Sequence, residues 1–542
     1  MRTRMRAALL SLVVALSVVS FGSLAAQQAM PPPEPVDYEI VAKMRDEGFR
    51  SSQIMELAGY MTDVFGPRFA NTPAYDEATR WAKEKFEEFG LENVAIEPWG
   101  EYGLGWENNF TSVHMLSPQY QQMIAYPEPD SRGTEGAVRG EVAFIDTSEI
   151  FDESDLAPYR GKLSGKIVFT QPKRQLELNF KPDAVRLSDE ELSEMARLDI
   201  AGLAEAAAEE VQAGGYGEDR RRSGPRPLSR EQLEAFFESE GVSVLAAPGT
   251  SNMGPMDKGT VHVSGSHRTP VGGTPPMSAI IVAPEHYNRV MRVLEKGIDV
   301  EMEVEIRNTF YDDDPLDYNV IAEIPGTDLA HEIVLIGGHY DGEPSGTGAT
   351  DNASGAASVM EAMRILQAVG VQPRRTIRAA LWGAEESGLL GSRGYVRKHL
   401  GNRETHEYLP EHENFSVYFN MDWYGRFRGI FLQGNDRTRH IFEAWMRPFH
   451  DVGMSWIVPG NTGGSDHMAF LEVGVPGFQF IQDDLEFFTT TFHTNMDVYD
   501  RLVAEDLMQA SVILASFAYH AAMRDQKFPR ADGINNGRRW HK

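Results

Sequence analysis

The second half of the sequence alternates between short apolar runs, loops and helical segments, and this pattern constrains the fold most. Four apolar runs are typical of buried strands: Ile333-Val-Leu-Ile, Ile377-Arg-Ala-Ala-Leu-Trp, Ser416-Val-Tyr-Phe-Asn-Met and Gly477-Phe-Gln-Phe-Ile. Helical segments lie between them, one with Val359, Met363 and Leu366 on a single face. The alternation predicts an α/β fold with a mostly parallel sheet between two layers of helices, a three-layer αβα sandwich.

Acidic and histidine side chains follow these runs where the strands are expected to end. His339 and Asp341 follow the first run, Glu385 and Glu386 the second, and Asp422 the third. The carboxyl ends of parallel strands meet at one edge of a sheet, so these side chains are expected to converge in one cleft. A single such residue is more often a capping or core residue. It is the number of them that indicates a site.

The residue types indicate metal chemistry. The chain contains no cysteine, so a transition-metal site must use imidazole and carboxylate, which suit zinc or another borderline divalent ion. In an extended backbone His339 and Asp341 point the same way, so Asp341 is expected to accept the second imidazole N–H and fix the tautomer. Adjacent Glu385 and Glu386 point in different directions. One is expected to ligate metal and the other to act as general base.

The loop after Asp341 is rich in glycine and leads to Asp351. Its glycines alone would also be compatible with a phosphate loop. However, no Walker lysine follows, and the carboxylate of Asp351 would repel a phosphate. The loop is therefore interpreted as part of the metal site, with the small residues at 353–357 allowing the next helix to pack closely beneath it.

The N-terminus has the features of an export signal. Arg2, Arg4 and Arg6 precede an apolar stretch over 7–19, and small residues suited to cleavage follow at 23–26. The stretch is shorter than the ~20 residues that span a bilayer, which predicts a signal peptide over 1–26 rather than an anchor. We therefore expect an exported protein, periplasmic or secreted, with no stable membrane anchor after signal removal.

The charge balance limits the choice of partners. The sequence has 51 Lys and Arg against 80 Asp and Glu, a formal net charge of −29. A surface this acidic repels nucleic acid and anionic lipid, so neither is expected as a partner.

Six ordered motifs resemble one known family. They are Gly338-His-Tyr-Asp, Gly348-Ala-Thr-Asp-Asn-Ala-Ser-Gly, Trp382-Gly-Ala-Glu-Glu-Ser-Gly-Leu-Leu-Gly-Ser, Asn420-Met-Asp, Gly463-Gly-Ser-Asp-His and Phe492-His-Thr-Asn-Met-Asp. The chain resembles the co-catalytic di-zinc aminopeptidase and glutamate carboxypeptidase family of metallopeptidases, in particular secreted bacterial members of the carboxypeptidase Q type.

The resemblance implies two Zn²⁺ ions and a role for each ligand. Asp351 would bridge the ions, His339 and Asp422 would complete one, and Glu386 and His493 the other. Glu385 would be the general base, with Asp341 in support, and a hydroxide held by two metals would attack the peptide bond. The resemblance assigns no further cofactor. Asp466 and His467 match a segment that lines the pocket in relatives, and their direct role is left open.

The resemblance also implies a division into domains. The catalytic domain would comprise 36–119 and 311–525, interrupted by a β-rich protease-associated domain over 120–310. A helical excursion with a solvated basic loop is expected near 187–240, and a disordered tail over 526–542. The inserted domain would act as a lid or wall of the cleft, and relatives of this type suggest a homodimer.

The predicted function is a zinc exopeptidase that cleaves terminal bonds of peptides or dipeptides. Aminopeptidase or dipeptidase activity is favoured over a carboxypeptidase of the carboxypeptidase Q type. A carboxypeptidase needs an arginine for the terminal carboxylate, for which Arg393, Arg426 and Arg428 are candidates. An amine would instead be bound by acids such as Asp466 or those at 483–486. More remote alternatives are a one-zinc glutaminyl cyclase-like transferase and a non-catalytic binding protein.

Overall fold

The computed structural model describes residues 34–197, 226–250, 258–265 and 268–531. In these ranges the strands, in chain order, are β1 (Glu92–Glu101), β2 (Gly105–Ser117), β3 (Gln121–Gln122), β4 (Ala125–Pro127), β5 (Val138–Phe144), β6 (Ile167–Phe169), β7 (Val244–Pro248), β8 (Ala279–Val282), β9 (Glu301–Tyr311), β10 (Leu316–Ile324), β11 (Leu329–His339), β12 (Arg375–Trp382), β13 (Gly401–Asn402), β14 (Glu407–Tyr408), β15 (Phe415–Asn420), β16 (Phe427–Phe431), β17 (Trp456–Val458) and β18 (Gly477–Gln482).

The α-helices in the same ranges alternate with these strands. They are α1 (Tyr38–Arg50), α2 (Ile54–Gly59), α3 (Pro73–Glu88), α4 (Asp189–Arg197), α5 (Arg230–Ser239), α6 (Pro284–Leu294), α7 (Ser354–Ala368), α8 (Leu390–His399), α9 (Pro410–Asn414), α10 (Arg439–Met446), α11 (His467–Leu471) and α12 (Ala504–Met523).

One eight-stranded sheet carries the strands that were predicted from the apolar runs. Its order is β1-β10-β12-β11-β15-β18-β16-β17. The four central strands β12, β11, β15 and β18 are mutually parallel. The pairs β1 with β10, β10 with β12, and β16 with β18 are antiparallel. The predicted mixed, mostly parallel sheet is confirmed.

Helices cover both faces of this sheet. On one face a single core contains residues of α1, α2, α3, α7, α10 and α12 packed on the sheet. On the other face, Tyr395 of α8 and Phe470 of α11 pack with Trp382 and Leu335. Most side chains of α7 and α12 are buried, as expected for helices enclosed by other elements rather than lying at the surface. The result is the predicted three-layer αβα arrangement.

The stretch between β1 and β10 forms a second eight-stranded sheet, with the order β3-β2-β9-β5-β6-β7-β8-β4. Its strands β5 to β8 are parallel, and its core includes Val113, Ile167, Val244 and Met302. This sheet begins with β2 at Gly105, whereas the inserted domain was expected to begin at 120. Five of the six residues at 107–112 are polar and none of the six is buried, so they lack the apolar alternation that indicates a strand. The assignment of this region as a separate protease-associated domain stays a prediction.

The expected disordered tail was wrong for residues 526–531. Phe528 is only 3% exposed and its ring packs against those of Phe419, Phe442 and Trp445, with centroids 5.6–5.9 Å apart. Arg530 donates to the backbone carbonyl of His412. The ring of Phe528 and the guanidinium of Arg530 thus hold a segment whose composition is polar and basic. Residues 532–542 lie outside the described ranges.

Other predictions for the chain ends and the excursion fall partly outside those ranges. The signal peptide over 1–26 and the basic run at 220–225 are not described. The excursion contributes the helices α4 and α5 at its two ends. In the described part of the chain, no helix is both long and apolar enough to cross a membrane.

Candidate metal centre

The predicted strand-end residues do meet at one edge of the first sheet. His339 is the last residue of β11, Glu385 and Glu386 follow β12, and Asp422 follows β15. The remaining ligand candidates come from loops: Asp351 from the segment before α7, and His493 from the segment between β18 and α12. All are buried or half-buried. The topology thus brings together residues that are up to 154 positions apart in the sequence.

The side chains form two groups that share Asp351. Nε2 of His339 lies 3.1 Å from Oδ1 of Asp351 and 3.5 Å from Oδ1 of Asp422. Nε2 of His493 lies 2.8 Å from Oε2 of Glu386 and 3.4 Å from the other oxygen of Asp351, Oδ2. Each oxygen of Asp351 therefore faces a different imidazole. This is the geometry expected of a carboxylate placed between two cations.

Asp341 supports the centre by more contacts than were predicted from the sequence. Its backbone carbonyl lies 3.2 Å from Nδ1 of His339, and its Oδ1 lies 3.5 Å from the same nitrogen, on the side of the ring away from Asp351. Its two oxygens also accept the backbone N–H groups of Glu385, at 3.1 Å, and Glu386, at 3.2 Å. One buried carboxylate thus orients a histidine and holds the turn that carries both glutamates.

The loop that carries Asp351 is held by contacts of Asp351 itself and of the residues on either side of it. The backbone N–H groups of Thr350 and Asp351 donate to Oδ1 and Oδ2 of Asp497, at 2.6 and 3.2 Å. The side chain of Asn352 donates to the carbonyl of Met421, just before Asp422, at 3.0 Å. Sequence reasoning missed Asp497 as a functional residue, although it ends the motif Phe492-His-Thr-Asn-Met-Asp.

Arg68 is a second residue that was missed. It is fully buried, and its guanidinium donates to backbone carbonyls of the segment near 61–66 and of the loop that leads from Tyr340 to Asp351. The acceptors are Met61, Gly66, Tyr340, Thr347 and Gly348, at 2.7–3.0 Å. Burial lowers the pKa of Arg68, so the carbonyls supply the hydrogen bonds that water would otherwise make. The residue connects the helical segment near 61–66 with the metal-site loop.

The electrostatics of the centre favour a bound cation. Burial raises the pKa of Glu386 to about 8, with a further contribution from the negative charge of Asp351. Burial also raises the pKa of Glu385 well above its usual range, and that of Asp466 to about 7. Oε1 of Glu386 is buried without a hydrogen-bond partner in the described part of the chain. Buried acids so close together are costly unless cations compensate them.

The donor set fits zinc. His339, Asp351 and Glu386 place ligand atoms within 4.8 Å of one another, as do Glu343, Glu386 and His493. Imidazole and carboxylate donors without thiolate are typical of catalytic zinc sites. Glu343 was not predicted as part of the centre. It follows the quoted Gly338-His-Tyr-Asp motif by two residues and has no family signal of its own.

The structure places Asp466 and His467 differently from each other. Asp466 is fully buried, and its negative charge contributes to the raised pKa of Glu385. Nε2 of His467 instead lies 2.9 Å from the carbonyl of Thr462 in its own loop, and burial lowers the pKa of this imidazole to about 4. Asp466 therefore affects the electrostatics of the centre, whereas the imidazole of His467 contacts the backbone of its own loop.

The three arginines considered for a substrate carboxylate are all paired with acids. Arg393 contacts Glu472 at 2.8 Å, Arg426 contacts Asp506 at 3.2 Å, and Arg428 contacts Asp483 at 2.9 Å. In the acidic stretch 483–486, Glu486 contacts Arg501 at 2.8 Å. Neither these arginines nor Asp483 and Glu486 are therefore available to a substrate without breaking an ion pair.

Aromatic rings border the centre next to two of its ligands. Trp423, which follows Asp422, contacts the rings of Phe487 and Phe488 at centroid distances of 5.7 and 5.6 Å. Phe492 stacks on the ring of His493 at 3.8 Å and continues this cluster, since it lies 5.3 Å from Phe487. An apolar surface of this kind can accept an apolar side chain of a substrate.

Comparison with known proteins agrees with this geometry. Residues 319–518 match the model of Peptidase family M28. Carboxypeptidase Q of Mus musculus is 25% identical over 508 residues, covering 92% of this chain and 92% of that enzyme. Aminopeptidase YwaD of Bacillus subtilis (strain 168) is 30% identical over 217 residues, covering 39% of this chain and 46% of that protein.

Solved structures show the same fold. A peptidase M28 precursor from Shewanella amazonensis SB2B has a TM-score of 0.64 at 23% identity, covering 91% of this chain and 98% of that one. BSAP, a zinc aminopeptidase from Bacillus subtilis, has a TM-score of 0.54 at 19% identity, covering 89% and 97%. The family resemblance inferred from the six motifs is confirmed.

Proposed function

We propose that this chain binds two zinc ions and releases single residues from the amino end of peptides or splits dipeptides. The match of residues 319–518 to peptidase family M28 supports metallo-exopeptidase chemistry. The observation that carries the two-metal proposal is the position of Asp351, whose two oxygens face His339 and His493 separately. His339 and Asp422 would hold one ion, and Glu386 and His493 would hold the other.

When bound, the two ions would supply a Lewis acid for the scissile carbonyl and a lowered pKa for the attacking water. The residues of the chain supply the proton transfers. Among the charged groups around Glu385, His339 has the largest effect on its pKa, whereas Glu386 lies 2.8 Å from Nε2 of His493, and we assign the two neighbours different roles. Glu385 takes a proton from the water and delivers it to the leaving amine. Burial raises the pKa of Glu385, and positive charge bound nearby would lower it again, so that Glu385 could act as a base.

The charged side chains around the centre favour cleavage at the amino end of a peptide. Arg393, Arg426 and Arg428 are each engaged with an acid, so none of them is free for a terminal carboxylate. Beyond the proposed ligands, the buried carboxyl of Asp466 adds negative charge beside Glu385, which favours a substrate ammonium. The alternative is a carboxypeptidase, as favoured by the similarity to carboxypeptidase Q along almost the whole chain.

Hydrolysis profiling separates these alternatives. The zinc-loaded enzyme is incubated with amino-acid nitroanilides, free dipeptides and amino-blocked dipeptides, and the products are quantified. The proposal predicts cleavage of the first two and resistance of the blocked dipeptides. Preferential cleavage of blocked dipeptides would establish a carboxypeptidase, and cyclisation of a glutaminyl peptide would establish the transferase.

Three further parts of the proposal concern the whole protein. We propose export through the segment 1–26, a homodimer, and a second sheet that restricts the cleft to chain ends or short peptides. Cell fractionation of the full-length chain tests export, and sedimentation tests the dimer. A variant without the second sheet, if it folds, should accept longer peptides; an unchanged size range would argue against this role.

A further inference from the structure

His493 has one ring nitrogen left over from the metal centre. Its Nε2 faces Glu386 and Asp351 at 2.8 and 3.4 Å. Nδ1 is therefore on the outer side of the ring, where a ligating histidine usually meets a carboxylate or carbonyl that fixes its orientation. For His339 that partner is Asp341. The corresponding position beside His493 is taken by Glu343.

The carboxylate of Glu343 is buried and held by the second-sheet region. The residue is 3% exposed, and its Oε1 lies 3.8 Å from Nδ1 of His493. Both of its oxygens accept the backbone N–H of Gly265, at 2.7 and 2.8 Å. Gly265 belongs to the segment 258–265, which is reached by the chain between β7 and β8.

The same segment holds the backbone of His493. The N–H of Val263 donates to the carbonyl of His493 at 2.9 Å, and the ring of His262 stacks on the imidazole of His493 at a centroid distance of 5.5 Å. His493 has a φ of +54°, a left-handed conformation that costs a residue with a side chain free energy and requires support from its surroundings.

We propose that Glu343 is a positioning residue that orients His493 and anchors the segment 258–265 of the second-sheet region to the metal centre. The inference rests on the proposed function, since it takes His493 to be a metal ligand. The negative charge beside Nδ1 makes the imidazole a stronger electron donor toward a cation at Nε2. Through the hydrogen bonds of Gly265 to Glu343, the region of the second sheet thus contributes to metal affinity without supplying a ligand.

The close approach of Glu343 to the segment depends on the glycine at 265. A Cβ added there would lie 2.6 and 2.8 Å from ring atoms of Phe69 and 3.1 Å from Oε2 of Glu343. A side chain at this position would push the segment away and lengthen the hydrogen bonds to the carboxylate. Gly265→Ala is therefore a second variant that disturbs the contact while keeping the charge of Glu343.

The test measures zinc retention by full-length protein in competition with a chelator. In Glu343→Gln, the amide oxygen still accepts the N–H of Gly265, but the charge facing His493 is lost. We expect zinc to be bound about 10–100-fold more weakly at one of two sites, with activity recovered at high zinc. The control Glu285→Gln alters a carboxylate that accepts the N–H of Gly259, at 3.2 Å, in the same segment, and should behave as wild type.

The outcomes distinguish the inference from the proposed function. Wild-type zinc retention in both Glu343→Gln and Gly265→Ala would overturn the role of Glu343 while leaving the metal centre intact. Loss of zinc to the same degree in Glu285→Gln would show a general effect of the segment and would also overturn it. A folded wild-type protein without zinc would refute the proposed function instead. If Glu343→Gln fails to fold, Gly265→Ala alone decides, with weaker zinc retention as the expected result.

Discussion

Replacing Asp341 by asparagine should impair the enzyme without removing a ligand or the proposed base. In the structure the two oxygens of Asp341 accept the N–H groups of Glu385 and Glu386, and Oδ1 also faces Nδ1 of His339. An asparagine has one carbonyl oxygen, so one of the three groups must face its NH₂ group, and the negative charge behind the histidine is lost.

The loss of this negative charge behind His339 sets the expected size of the effect on activity. Changes to the outer partner of a metal ligand typically cost 10–100-fold in metal affinity or activity, and a factor of ten corresponds to about 1.4 kcal/mol. We therefore expect Asp341→Asn to lower kcat/KM by about 10–100-fold, or about 1.4–2.7 kcal/mol. Zinc should also be lost more easily to a chelator, since the donor strength of His339 falls.

The assay is steady-state hydrolysis of an amino-acid nitroanilide, with zinc content measured on the same samples. A matched control is Asp155→Asn, because Oδ2 of Asp155 accepts two backbone N–H groups, of Phe151 and Asp152, at 2.9 and 3.2 Å, in the region of the second sheet. The control should keep full activity. If Asp341→Asn keeps wild-type kcat/KM and zinc content, the reasoning about the support of His339 is refuted.

Three other predictions concern the base, the acids and the tail. Glu385→Gln should lower kcat by about 10²–10⁴-fold, as expected for loss of a general base, with zinc content unchanged; wild-type kcat would exclude this role. In metal-free protein the pKa values of Glu386, at about 8, and Asp466, at about 7, lie above those of an unfolded chain, so their contribution to stability is lost as pH rises from about 5 to 8. A chelator-treated sample should thus have a lower Tm at pH 8 than at pH 6, and a difference of opposite sign would contradict the burial of these acids. Phe528→Ala should lower the free energy of unfolding by about 3–5 kcal/mol, measured by denaturant titration. A change below about 0.5 kcal/mol, the range of surface substitutions, would show that the tail is not packed.

The parts of the site that were predictable are those fixed by strand ends. His339, Glu385, Glu386 and Asp422 each follow an apolar run, and the parallel pairing of β11, β12 and β15 brings them to one edge. Asp351 and His493 lie in loops. The residues of the Asp351 loop already indicated the metal site, whereas only the resemblance of its motif to a known family marked His493 as a ligand.

The parts that were missed depend on contacts distant in sequence. Arg68 meets Tyr340 across 272 positions, and Glu343 meets Gly265 across 78. Neither contact leaves a local pattern, because a lone arginine or glutamate has the same appearance in a sequence whether it is buried or solvated. The same holds for Phe528, whose aromatic partners lie on β15, β18 and α10.

The zinc content of active protein tests the central claim most directly. Metal-free protein is prepared with a chelator and titrated with zinc, and bound metal and hydrolytic activity are measured at each step. We predict that activity is absent without metal, and that the folded chain binds two zinc ions when activity reaches its maximum. Full activity with one zinc ion bound, or with none, would contradict a centre in which Asp351 lies between two cations.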